Sequence, residues 1–191
     1  MRKAGIIMLM SLLLFVAACG KEIPDAKNWP IDSFTFTDQN NQPFSLENLK
    51  GKVWVADFIF TRCVDVCPPM TANMAKLQRM AKKEGLQVEF VSFSVDPEND
   101  HPEQLKAYIE KFHVDVDHWH LLTGYTQQEI ETFAQKNFKA VVQKPAGQDQ
   151  VIHGTDFYLV DQTGKIVQYY NGINDVPYEQ ILEHIKILQS S

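Results

Sequence analysis

Basic residues and cysteines are scarce in this chain of 191 residues. It has 18 lysines and arginines against 24 aspartates and glutamates, and only three cysteines. No basic stripe with interleaved aromatic residues is present, and an acidic domain repels phosphate backbones, so we expect no nucleic acid partner. The sequence also lacks a glycine-rich phosphate loop, a serine nucleophile elbow and internal repeats. Nucleotide binding and serine hydrolysis are therefore not indicated.

One apolar run stands at the N-terminus. Residues 4–18 are apolar except for one serine and follow two basic residues. The run is short for a membrane-spanning helix and typical of an export signal. It ends in Val-Ala-Ala before Cys19, which resembles bacterial lipoprotein signals, where cleavage precedes a cysteine that receives a diacylglycerol. We expect a lipoprotein signal over residues 1–18, a lipidated Cys19 and a polar tether over 19–32.

This interpretation places the protein on the extracytoplasmic face of the cell membrane, held there by a lipid anchor. The alternative is a plain signal, or an uncleaved anchor, in which Cys19 is incidental. If Cys19 carries lipid, the other two cysteines, Cys63 and Cys67, are left as a pair.

The remaining residues, 33–191, alternate strand and helix patterns and predict one α/β domain. Residues 34–49 alternate around an Asn-Asn turn and predict an N-terminal β-hairpin. The predicted strands cover 53–60, 88–95, 118–124, 155–161 and 165–170. The predicted helices cover 70–83, 101–112, 127–137 and about 175–188, with Asp100, Thr126 and Asp175 as capping residues of the last three.

Cys63 and Cys67 lie between a buried strand and a helix whose first turn holds two prolines. This order resembles the active-site corner of the thioredoxin fold, in which the helix N-terminus favours the thiolate. Asp57 resembles the buried carboxylate of thioredoxins that moves protons near the thiols; it could instead cap a strand or pair with a lysine. Three residues separate the cysteines where two are usual, yet this spacing still permits a disulfide. When reduced, the pair offers two thiolates to copper(I), zinc or a cluster.

His153 is the candidate for a third ligand. It lies just before the predicted strand 155–161, in a loop that passes close to the cysteines in thioredoxin-like proteins and usually carries a cis-proline. Here that loop reads His-Gly-Thr, so an imidazole stands where the shielding proline is missing. Gly154 has no side chain to hinder a close approach of the backbone.

Four segments in this order and spacing resemble the Sco/SenC family: FTRCVDVCPPM, SFSVDPEND, LLTG and VIHGTDFYLVD. Members are membrane-tethered, thioredoxin-like copper proteins needed to assemble the binuclear copper A centre of cytochrome c oxidase. The resemblance runs from about Phe34 to the C-terminus. It implies that Cys63, Cys67 and His153 bind copper, as Cu(I), Cu(II) or both, and that Asp96 supports the site. A simple Asp-Pro turn is an equal explanation for Asp96.

The resemblance implies a metallochaperone, rather than an enzyme, that serves subunit II of cytochrome c oxidase. The alternative is a thiol-disulfide reductase that keeps the copper-site cysteines of that subunit reduced. A structural disulfide is disfavoured because it would close a very small loop.

Three other patterns carry less weight. His118 and His120 could share a strand face, but we interpret them as a surface pair. Met70 and Met74 are interpreted as core residues, because methionines on an apolar helix face are mostly buried. Residues 96–103 are acidic but lack the glycine and ligand order of a calcium loop.

Overall fold

The computed structural model describes residues 22–190. The predicted signal, Cys19 and the start of the predicted tether lie outside these residues. Within them, no helix is long and apolar enough to cross a membrane.

The centre of the domain is a mixed eight-stranded sheet. Ten strands are present in residues 22–190, and two of them form a separate pair. Their bounds are β1 Trp29–Pro30, β2 Thr35–Asp38, β3 Pro43–Ser45, β4 Val53–Ile59, β5 Val88–Ser94, β6 Trp119–Thr123, β7 Val142–Gln143, β8 Ile152–His153, β9 Asp156–Val160 and β10 Lys165–Asn171. The large sheet has the order β1-β10-β9-β4-β5-β6-β2-β3, and β7 pairs with β8.

Strands β4, β5 and β6 are parallel, whereas the other neighbours in the large sheet are antiparallel. The carboxyl ends of the three parallel strands therefore meet at one edge of the sheet. Because β9 runs antiparallel to β4, its amino end reaches the same edge. The predicted α/β class and the N-terminal hairpin β2–β3 are both observed.

Helices cover both faces of the sheet. Their bounds are α1 Cys67–Lys83, α2 Pro102–Ile109, α3 Gln127–Phe133 and α4 Tyr178–Gln189, and α3 continues as a π-helical turn, Ala134–Phe138. Three-residue or four-residue 3₁₀ turns cover Leu46–Leu49, Glu110–Phe112 and Val116–His118. Helix α1 contacts α2 through Thr71 and Tyr108, whose hydroxyls are 2.7 Å apart, and contacts α4 where Tyr178 donates to Asn73.

All seven residues of β4 and of β5 are buried, as the continuous apolar runs predict. Alternation along these strands separates their side chains between the two faces. Phe58 and Phe93 are neighbours on one face, where Phe133 of α3 also packs against Phe93. Asp57 and Ser92 are neighbours on the other.

Helix starts depart from the predicted caps in two of three cases. The Thr126–Glu129 capping box is confirmed, because each side chain bonds the main chain of the other. Asp100 does not cap α2, whose N-cap is His101; it is used elsewhere, as a buried hydrogen-bond acceptor. Helix α4 begins after Pro177, so Asp175 lies two residues too early to cap it.

Residues 22–32, predicted as part of a tether without structure, lie against the domain. Ile23 and Ile31 are buried, and Trp29–Pro30 forms an edge strand beside β10. The main-chain N–H of Lys27 also donates to Val167. The sequence did not predict this strand, because two residues are too few to show a period and the segment around them is polar and contains two prolines.

We predict that Phe93→Ala lowers the free energy of unfolding by about 3–5 kcal/mol, because a fully buried ring in an aromatic cluster is lost. Urea denaturation of the reduced, metal-free protein measures this. Val64→Ala is the control, since Val64 is 85% exposed and its truncation changes stability by about 0.5 kcal/mol or less. Similar losses in both variants would contradict this account of the core.

Candidate metal centre

Cys63 and Cys67 lie at the edge where the parallel strands end. Cys63 lies in the turn after β4, where its N–H donates to the carbonyl of Phe60, and Cys67 is the first residue of α1. The helix starts here because the two prolines that follow Cys67 fit a first turn. Strand, turn and helix start lie in the predicted order.

The helix start directs one main-chain donor at a sulfur. A helix leaves its first N–H groups without partners in the helix. Here Pro68 and Pro69 have no N–H, and the N–H of Cys67 donates to the Sγ of Cys63 at 3.3 Å. This donor favours a thiolate at Cys63.

His153 comes from a distant part of the chain, 86 residues after Cys67. It ends β8, just before β9, whose amino end lies at the same edge of the sheet. Its Nδ1 lies 2.8 Å from the carbonyl oxygen of Gly154, which can only accept, so Nδ1 carries the proton in the neutral ring. Its Nε2 is thereby left as an acceptor and lies 3.3 Å from the Sγ of Cys67.

The structure therefore brings together the three predicted ligand residues. The two sulfur atoms and the imidazole nitrogen all lie within 4.8 Å of one another, and no other group of three such side chains in residues 22–190 lies as close. Two sulfurs and one imidazole nitrogen suit a soft or borderline metal ion such as copper or zinc, and they do not suit magnesium or calcium.

The two thiols are free, buried and electrostatically unequal. The pKa of Cys63 is held well below its usual value, chiefly by the hydrogen bond that it accepts from the Cys67 thiol and also by the N–H of Cys67. The pKa of Cys67 is raised, because its thiol donates that bond and is more deeply buried. These opposite shifts favour a thiolate at Cys63 over one at Cys67.

Asp57 lies in β4, six residues before Cys63. It is fully buried, and neither carboxylate oxygen has a hydrogen-bond partner within residues 22–190. It therefore neither caps a strand nor pairs with a lysine. Burial raises its pKa to about 7, and its neighbours Ser92 and His153 lower it by less.

Asp96 follows β5 and is also fully buried. Asn99 donates to both of its carboxylate oxygens, and the Nζ of Lys144 lies 2.7 Å from one of them. No sequence signal indicated Lys144, because its partner lies 48 residues away. Asp100, in the same loop, accepts hydrogen bonds from Thr61 in the cysteine turn.

The histidine pair and the two methionines, which were given less weight, make other contacts. His118 and His120 both contact the buried carboxylate of Glu89, at 3.3 and 3.4 Å, which the sequence did not reveal. Met70 and Met74 are fully buried core residues, as predicted.

These features define a thioredoxin-like domain with a dithiol and an imidazole at the amino end of its first helix. The family model for SCO1/SenC matches residues 25–189. The chain belongs to the SCO1/SenC family.

Solved structures of similar proteins agree. A SCO1/SenC family lipoprotein from Bacillus anthracis is 55% identical, with 88% of this chain and 99% of that one covered and a TM-score of 0.86. BsSco, a Sco family cytochrome c oxidase assembly protein with a disulfide switch, is 50% identical, with coverage of 89% and 99% and a TM-score of 0.83. ScoI of Bradyrhizobium japonicum with copper bound is 28% identical, with coverage of 83% and 99% and a TM-score of 0.69.

We predict that Asp57→Asn stabilises the metal-free, reduced protein more at pH 8 than at pH 5. The pKa of Asp57 in the folded protein, about 7, exceeds its ordinary value of 3.8. Ionising Asp57 therefore costs more in the folded than in the unfolded protein, and the free energy of unfolding falls as the pH rises towards 7. Asparagine avoids this loss, and the gain should grow by about 2–3 kcal/mol between the two pH values. Urea denaturation measures it.

Asp117→Asn is the control for this experiment, because it removes an exposed carboxylate. A gain from Asp57→Asn that is the same at both pH values would show that the buried carboxylate is not the source.

Proposed function

We propose that this protein carries one copper ion on Cys63, Cys67 and His153 and delivers it to the copper A centre of cytochrome c oxidase. Copper is here a cargo that enters and leaves, not a resident group. The observation that carries the proposal is the convergence of two sulfurs and one imidazole nitrogen within 4.8 Å of one another. The copper-bound ScoI relative supports the choice of metal.

The donor set fits copper in either oxidation state. Thiolates stabilise Cu(I), and imidazole with thiolate also binds Cu(II), which stands at the top of the stability order for divalent ions. The Nδ1 contact with Gly154 holds the ring so that Nε2 faces the sulfurs. Such a contact commonly fixes the tautomer of a metal-ligating histidine.

Loading and delivery follow from the protonation of the two thiols. Copper binding needs both thiolates, so the proton that Cys67 retains is released when the ion enters. A partner with its own thiolates and imidazoles can then take the ion by stepwise ligand exchange. A disulfide-containing oxidant can accept two electrons from the Cys63 thiolate and the Cys67 thiol, and it is itself reduced to two thiols. The Cys63–Cys67 disulfide that forms releases the proton of Cys67 and removes two of the three ligands. Delivery is thereby coupled to redox state.

The location and partner are part of the same proposal. A lipid on Cys19 would hold the domain at the extracytoplasmic face of the cell membrane, with the start of the predicted tether between the lipid and the sheet. The similar B. anthracis protein is a lipoprotein, and BsSco is a cytochrome c oxidase assembly protein. Subunit II of the oxidase is the proposed acceptor.

A second function is favoured by the state of the thiols. Both cysteines are free and adjacent, and Cys63 has a lowered pKa. In a reductase, the Cys63 thiolate attacks a disulfide of the partner and forms a mixed disulfide, releasing one partner thiolate. Cys67, after loss of its proton, then displaces the second partner thiolate and closes the Cys63–Cys67 disulfide. The partner gains the two electrons that this pair loses.

We predict that His153→Ala lowers the affinity for Cu(I) at least about 100-fold, because loss of a direct ligand should exceed the 10–100-fold effect of an outer partner. Anaerobic titration against a competing chelator measures this affinity, and thermal unfolding checks the metal-free fold. His118→Ala is the control, since His118 lies in the Glu89 cluster.

If His153→Ala lowered the melting temperature of the metal-free protein in parallel with the copper affinity, His153 would instead be a core residue. A parallel assay of partner disulfide reduction separates the two functions. A His153→Ala protein that keeps thiol exchange but no longer binds copper tightly supports the carrier function. Tight copper binding by His153→Ala contradicts the carrier function proposed here.

We predict that copper raises the melting temperature of the reduced protein and not that of the oxidised protein. Binding to the folded state alone adds about 2.7 kcal/mol at a free copper concentration of 100 Kd. Differential scanning calorimetry measures the shift, with a Cys63→Ser, Cys67→Ser double variant as control. No shift in the reduced protein would remove the carrier function and leave the reductase.

A further inference from the structure

His153 is carried by a hairpin that does not belong to the main sheet. Strands β7 and β8 pair only with each other, with Val142 opposite His153. The N–H of Gly154 also donates to the carbonyl of Val141 at 3.0 Å. The distance from His153 to the cysteines therefore depends on contacts that fix this hairpin to the rest of the domain.

Lys144 supplies such contacts at two points. It directly follows β7, and its main-chain N–H donates to Glu131 of α3 at 2.9 Å. Its side chain is mostly buried, and its Nζ lies 2.7 Å from Asp96 and 2.9 Å from Glu98. Arg62 and Asp149 also join the hairpin to the cysteine turn, but both side chains of that pair are exposed and 3.7 Å apart.

The loop that receives Lys144 is itself fixed to the cysteine side. Asp100 accepts hydrogen bonds from the N–H and the hydroxyl of Thr61, two residues before Cys63. Its own N–H donates to the carbonyl of Asp96 at 2.9 Å. One loop thus holds the cysteine turn through Asp100 and the histidine hairpin through Asp96.

The Lys144–Asp96 pair is the buried half of this connection. Asp96 is fully buried, so its charge is costly unless it is paired and hydrogen-bonded. Lys144 is the cation that contacts it, and the lysine stem reaches it only when β7 lies against the loop. Pairing Asp96 with Lys144 therefore requires one position of β7. Because β8 is paired with β7, this position also fixes β8.

We infer that Lys144 is a positioning residue of the metal centre: its ion pair with Asp96 sets the position of His153 relative to Cys67. This inference rests on the proposed copper site, and Lys144 itself is not a ligand. Lys144 acts through the β7–β8 hairpin, and its removal leaves all three ligand residues present.

The test compares Lys144→Met with Lys144→Arg and with Lys82→Met. Lys82 forms an ion pair of 2.8 Å with Asp115 and controls for loss of one positive charge. We expect Lys144→Met to lower Cu(I) affinity about 10–100-fold, the usual effect of losing an outer partner of a ligand. It should also change the thiolate-to-Cu(II) absorption band. Lys144→Arg should retain most of the Cu(I) affinity and of the absorption band, and Lys82→Met should change neither.

A copper-free measurement separates this inference from the proposed function. In the reduced, metal-free protein, the side-chain ¹⁵N signals of His153 report its contacts with Gly154 and Cys67. We expect Lys144→Met to shift these signals while Lys82→Met does not. Wild-type protein that binds no copper would defeat the carrier function, yet the His153 signals would still test Lys144.

A double variant separates positioning from general destabilisation. Asp96→Asn combined with Lys144→Met removes the uncompensated buried charge, so the melting temperature should recover from that of Lys144→Met while the His153 signals stay shifted. Unchanged His153 signals in Lys144→Met, or copper affinity that recovers together with the melting temperature, would overturn the inference.

Discussion

The contact between the Cys67 sulfur and the His153 imidazole, 3.3 Å long, joins residues 86 positions apart and depends on the order of the strands. Strand β9 is the antiparallel neighbour of β4, with Tyr158 opposite Ala56. Continuing forward from β4 and backward from β9 leads to the same edge of the sheet, where Cys63 and His153 lie. The pairing of β9 with β4 therefore places the thiols and the imidazole at the same edge.

Three buried aspartates surround this edge, and each is accommodated in a different way. Asp57 has no hydrogen-bond partner within residues 22–190, and burial raises its pKa to about 7. Asp96 is paired with Lys144 and accepts hydrogen bonds from Asn99, whereas Asp100 is held by hydroxyl and N–H donors. Because protonated Asp57 carries no charge, it does not oppose a thiolate at Cys63. The edge thus combines buried carboxylates with a low thiol pKa, which would be incompatible if all three were ionised and unpaired.

Patterns within a few residues of sequence predicted most helices and strands and the candidate ligands. Most features that these patterns did not predict depend on contacts between distant residues. The apolar runs of β4 and β5, the proline-marked start of α1 and the Thr126 capping box are signals within a few residues. The position of His153 in the loop before the predicted strand 155–161, where a thioredoxin-like protein usually has a cis-proline, made it the candidate third ligand. The two-residue strands of the histidine hairpin show no period, and the role of Lys144 depends on a carboxylate 48 residues away. Asp100 carries a capping signal, but its burial beside Thr61 outweighs it.

The two proposed functions use the same sulfurs in different protonation states. In the metal-free protein the raised pKa of Cys67 favours a proton on its thiol, which faces both the Cys63 sulfur and the His153 nitrogen. That state has one thiolate, which is what attack on a disulfide requires. Copper needs the second thiolate as well, so an entering ion must displace this proton. In the proposed copper site, His153 would change from a neighbour of the Cys67 thiol to a ligand through the same nitrogen. In these proposals, the protonation of Cys67 therefore separates the thiol-exchange state from the copper-carrying state.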